Sequence, residues 1–86
     1  MANVEIYTVN YCPYSKKAKA ILDNNGIPYK EIDITGNEPE MRAKLAQMTG
    51  GQQTVPQIFV NGKYIGGCTE LQELEASGKL GELVSK

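Results

Sequence analysis

The sequence predicts an α/β fold: one four-stranded mixed sheet flanked by helices. Three observations predict it. Val4-Glu5-Ile6-Tyr7-Thr8 alternates, a helical stretch opens at Pro13, and a second strand-like run closes at Asp33, giving a βαβ unit. Asn61-Gly62 stands between two further strand-like runs and signals a hairpin. The remaining segments carry helix starts at Asn37 and Thr69 and glycine stops at Gly50-Gly51 and Gly78.

Each element has a local reason. Pro13 suits the first turn of a helix, where its missing N–H costs nothing. That helix runs through Ala18, Ile21 and Leu22 and stops near Asn25-Gly26, a good left-handed C-cap. Residues 28–33 read as the second strand. A helix joins the first two strands, so they are expected to be parallel with a right-handed crossover. Asn37 is the expected N-cap of a helix with Glu40 at its third position. Met41, Leu45 and Met48 follow at i, i+4, i+7 and predict one apolar face. Residues 54–60 read as the third strand and 63–65 as the fourth, with Gly66-Gly67 ending it. Thr69-Glu70-Leu71-Gln72 predicts a capping-box start, and a short tail helix carries Leu80, Leu83 and Val84.

Composition narrows the chemistry. The 86 residues predict a single domain over 1–86, small enough that a shallow groove is expected rather than a large enclosed pocket. With 9 Lys plus Arg against 10 Asp plus Glu, no basic excess points to nucleic acid. The absence of His excludes Ser-His-Asp and Cys-His catalysis and His-ligated metal sites. Cys12 and Cys68 are too few for a disulfide framework or a four-Cys zinc site, so no metal is expected. The first fifteen residues lack a basic-then-apolar leader pattern, and no apolar run approaches the length of a membrane span. These features predict a cytoplasmic chain without a membrane partner, whose thiols stay free or do chemistry.

Cys12 is the candidate nucleophile. It stands at the strand-to-helix junction, where the first backbone N–H groups and the positive end of the helix dipole favour a thiolate. Pro13 sets that helix start, and Lys16 and Lys17 add positive potential in or next to its first turn. Ser15 lies three residues on, where a C-x-x-C enzyme carries its resolving thiol. A hydroxyl can donate a hydrogen bond to the thiolate but cannot resolve a mixed disulfide. The competing reading of Cys12 is a small buried hydrophobe, and its position and spacing favour the nucleophile over it.

Three motifs in register carry more. Tyr11-Cys12-Pro13-Tyr14-Ser15, Thr54-Val55-Pro56-Gln57-Ile58-Phe59 and Ile65-Gly66-Gly67-Cys68 together resemble a glutaredoxin over essentially the whole chain, nearest to the small bacterial dithiol type. The resemblance implies a thioredoxin fold with strand order 2-1-3-4, and a glutathione-dependent thiol–disulfide oxidoreductase that reduces glutathione mixed disulfides. It implies that Cys12 is the nucleophile and Pro56 a cis-proline beside it, with Thr54 and Val55 pairing with the glutathione backbone. It gives Arg42 the glycine carboxylate of glutathione, and Gly67, Cys68, Thr69 and Glu70 its γ-glutamyl end. Tyr14 becomes the aromatic that lines the groove. Glutathione is then co-substrate, glutathionylated small molecules or proteins are the partners, and a monomer is expected.

The chain departs from that pattern in four places. Ser15 replaces the second thiol of the C-P-Y-C class, as a natural monothiol variant or an engineered replacement. Val9 stands where many members have Lys. Glu70 stands where Asp is commoner. Residues 50–53 are one residue longer than usual before Thr54. The competing reading is a glutathione-ligated [2Fe–2S] cluster-binding dimer, whose members typically carry C-G-F-S and a Trp-Pro motif. Here the motif is C-P-Y-S and there is no Trp.

Overall fold

The computed structural model describes residues 2–85. Its elements run β1 (Val4–Thr8), α1 (Pro13–Asn24), β2 (Lys30–Asp33), α2 (Glu38–Thr49), β3 (Gln57–Val60), β4 (Lys63–Gly66), α3 (Cys68–Ala76) and α4 (Leu80–Val84). The sheet order is β2-β1-β3-β4. β1 pairs parallel with β2 and antiparallel with β3, and β3 pairs antiparallel with β4.

Period-two alternation sends side chains to two apolar layers. Val4 and Ile6 of β1 and Ile58 and Val60 of β3 pack with Ala18, Ile21 and Leu22 of α1, Leu71 of α3, and Leu80 and Val84 of α4. On the opposite face Phe59 packs with Val9, Ile34 and Leu45, and Tyr7, Met41, Val55 and the Cys12 side chain join them. The functional loops therefore sit at one end of β1 and β3, anchored from below by both layers.

Local signals hold at several ends. Gly26 takes φ 67° after α1 and Gly50 takes φ 77° after α2, as left-handed stops. Asn61 (φ 54°) and Gly62 (φ 82°) form the hairpin turn, both with positive φ.

Four expectations need correction. β2 begins at Lys30, not Pro28, because pairing with β1 starts at Glu5↔Lys30. β3 begins at Gln57, not Thr54, because pairing with β1 starts at Tyr7↔Gln57. Met48 is 46 % exposed while Leu45 is fully buried. Met48 lies in the last turn of α2, past the point where Leu45 anchors the helix in the core. α3 starts at Cys68 with Gly67 as N-cap, two residues before the expected cap at Thr69. Glu70 explains the shift: its Oε1 accepts the Gly67 N–H at 2.7 Å, which makes Gly67 the cap and Glu70 the third helical residue.

Candidate active site

Cys12 is itself the N-cap of α1. Steric contact with Pro13 pushes it to extended backbone, φ −93°, ψ 118°, the conformation an N-cap residue adopts. Pro13, Tyr14 and Ser15 are then the first three helical residues. The N–H groups of Tyr14 and Ser15 are orphan donors that face the sulfur. The neutral thiol closes no cap bond; its Sγ lies 3.9 Å from the Val55 carbonyl, to which it donates weakly.

That geometry sets the acidity. Partial burial pushes the Cys12 thiol up. The Ser15 N–H, the Ser15 hydroxyl, the Tyr14 N–H and the Arg42 charge outweigh it, and the net direction is below the ordinary thiol range. Ser15 is fully buried, and its Oγ meets no partner at hydrogen-bond geometry among the described residues. The Ser15 hydroxyl is among the groups that favour ionisation of Cys12. Lys16 and Lys17 are exposed. Arg42 is the cation that favours the Cys12 thiolate, whereas Lys17 acts on Cys68.

Beside the thiol is an open groove of about 250 Å³, lined by Tyr14, Thr54, Val55, Pro56, Gly67, Cys68, Thr69 and Glu70. The structure thus brings together residues distant in sequence that were expected to share a site. The Val55–Pro56 bond is cis. A Cβ at Gly67 would stand 3.0 Å from the Pro56 carbonyl oxygen, a tight contact that the glycine avoids. Gly66, at φ 128°, leaves the space into which Glu70 folds back. Cys68 is buried, and burial pushes its thiol up despite Lys17.

Arg42 is not in this lining. Its Nη1 donates to the Gln53 carbonyl at 2.7 Å and its Nη2 to Glu38 Oε1 at 2.9 Å. The Tyr11 hydroxyl donates to the same Glu38 oxygen. The sequence reading gave Tyr11 and Glu38 no role in the site. The available signal was the acid-before-base spacing of Glu38 and Arg42 at i,i+4 on one helix.

A glutaredoxin family model matches residues 4–65. The chain is 45% identical over 85 residues to a glutaredoxin of Pseudomonas aeruginosa, covering 99% of each chain. It is 44% identical over 84 residues to glutaredoxin 3 of Escherichia coli K12, covering 98% of this chain and 99% of the relative. Among solved structures, a buckwheat glutaredoxin–glutathione complex aligns with TM-score 0.89 and 32% identity, over 98% of this chain and 77% of that one. The four-stranded sheet in the order found is that of a thioredoxin fold. The chain belongs to the glutaredoxin family and is a thiol–disulfide oxidoreductase. Among the described residues no helix is long and apolar enough to cross a membrane.

Proposed function

We propose that this chain reduces glutathione mixed disulfides by a monothiol route at Cys12. The observation that carries the reading is the N-cap placement of Cys12, with its thiolate favoured and a groove beside it. In the first step the Cys12 thiolate attacks the glutathionyl sulfur of a mixed disulfide. The S–S bond breaks, the substrate leaves as thiolate, and Cys12 keeps the glutathionyl group. In the second step a glutathione thiolate attacks that same sulfur, freeing Cys12 and forming glutathione disulfide. Neither step needs a thiol at position 15.

The remaining site residues have roles in this reading. The exposed backbone around Thr54 and Val55 pairs with the extended tripeptide. The start of α3, at Gly67, Cys68, Thr69 and Glu70, receives the γ-glutamyl end. One Glu70 oxygen caps Gly67 and the other remains for the α-amino group. Tyr14, 64% exposed, packs along the ligand. Arg42 still has about three of its five N–H donors for the glycine carboxylate. The glutathione bound in the buckwheat relative supports this choice of ligand.

The test is intact mass after mixing with oxidised glutathione, together with turnover of a small glutathione mixed disulfide. One adduct, lost in Cys12→Ser, and measurable turnover are expected. A protein with full thiol content and no turnover would overturn the proposal.

A further inference from the structure

The network around Arg42 crosses the site from one loop to the other. Tyr11 is the residue before the nucleophile, Glu38 opens α2, Arg42 lies one turn later, and Gln53 precedes the cis-proline loop. One carboxylate oxygen, Glu38 Oε1, accepts both the Tyr11 hydroxyl and Arg42 Nη2 (2.9 Å), while Arg42 Nη1 holds the Gln53 carbonyl at 2.7 Å. The Glu38 and Arg42 side chains are 24% and 29% exposed, so both keep solvent access while held at fixed places. Left alone, an arginine on a helix surface samples many rotamers, and ordering it costs entropy. Here that entropy is lost in the fold, before any ligand arrives.

We infer that Glu38 is a positioning residue for the reaction: by bridging Tyr11 and Arg42 it holds the guanidinium between the nucleophile loop and the cis-proline loop. Held there, the guanidinium charge favours the Cys12 thiolate, and its unused N–H groups are presented to the anionic end of the substrate. The substrate half of this inference rests on the glutathione reading; the thiolate half does not. The Glu38 carboxylate is held below its ordinary range by the Tyr11 hydroxyl and then by Arg42, with partial burial and then the Asp33 charge opposing. It therefore stays ionised wherever the enzyme's thiolate is formed.

Reach and charge can be separated by two conservative variants. Glu38→Asp keeps the charge but is one methylene too short to bridge both partners. Glu38→Gln loses the charge but keeps an oxygen at the same reach. Alkylation of Cys12 by iodoacetamide, followed by peptide mass against pH, reads the thiolate without any glutathione present. Glu38→Asp is expected to lower the neutral-pH rate about twofold and move the profile to higher pH, in the direction of Arg42→Gln, with Glu38→Gln nearer the unsubstituted protein. In an Arg42→Gln background Glu38→Asp should change nothing further. With a glutathione mixed disulfide as substrate, KM should rise about threefold in Glu38→Asp. A larger effect from Gln than from Asp, no effect from either, or an Asp effect that persists without Arg42 overturns the inference. If turnover with the mixed disulfide is absent from the unsubstituted protein, the glutathione reading fails, and the alkylation profiles still decide the role of Glu38.

Discussion

Two cysteines stand at two helix starts in this molecule, and their thiols are shifted in opposite directions. Cys12 caps α1, and its acidity is raised by N–H groups of the helix it caps. Cys68 is the first residue of α3, one position inside the cap, and burial pushes its thiol up. The lesson concerns geometry within a single turn. An N-cap side chain turns back over the orphan N–H groups of the second and third helical residues, while the residue after the cap points away from them. At α3 the cap is a glycine, and the side chain that reaches back is the Glu70 carboxylate. Cys68 instead packs into the layer formed by α1, α3 and the sheet. In this molecule the helix start lowers the thiol that holds the cap and not the one that follows a cap.

The strongest way to break this comparison is competitive alkylation. At neutral pH Cys12 should react more than about tenfold faster than Cys68, which corresponds to about 1.4 kcal/mol or more between the two barriers. The sign follows from the shifts: Cys12 ionises below the ordinary thiol range and Cys68 above it. The ratio of the two rates should therefore be greatest at pH below the Cys12 ionisation and narrow steadily as pH climbs from there through the ordinary thiol range. Equal rates at neutral pH would erase the distinction.

A smaller effect tests the cap at α3. Glu70→Ala removes the bond to the Gly67 N–H and should lower stability by about 1 kcal/mol in denaturant titration. The Cys12 alkylation profile should be unmoved, since Glu70 is not among the groups that shift it. The smallest effect sharpens the electrostatics. Lys17→Met should push the Cys68 thiol further up and slow its alkylation by less than about twofold, leaving Cys12 unaffected. A change at Cys12 instead would return Lys17 to the role the sequence reading gave it.

Much of this was legible along the chain because it is local. β1 needs only alternation, α1 only Pro13 and the Asn25-Gly26 stop, and the hairpin only Asn61-Gly62. The placement of Cys12 follows from a strand, a cysteine and a proline in succession. The less legible parts depend on partners distant in sequence. Residues 54–56 have strand-like composition, yet pairing with β1 starts only at Gln57, and Thr54, Val55 and Pro56 line the groove instead. Thr69 looks like an N-cap, yet Gly66 and Gly67 let Glu70 fold back and move the start to Cys68. Met48 has the right spacing for a buried face, but spacing does not say which turns of a helix the core covers.

By itself the sequence determined the order of the elements, the cap position of Cys12 and the absence of a second thiol at Ser15, because each is a matter of neighbours a few residues apart. Only the tertiary structure decided which charge serves that thiol. Lys16 and Lys17 are nearer in sequence, but they extend to solvent from the helix that Cys12 caps. Arg42 comes from a different helix on the other face of the sheet and is held by Glu38 and the Gln53 carbonyl. Electrostatic influence falls with distance through space and with solvent screening, and neither is a function of separation along the chain.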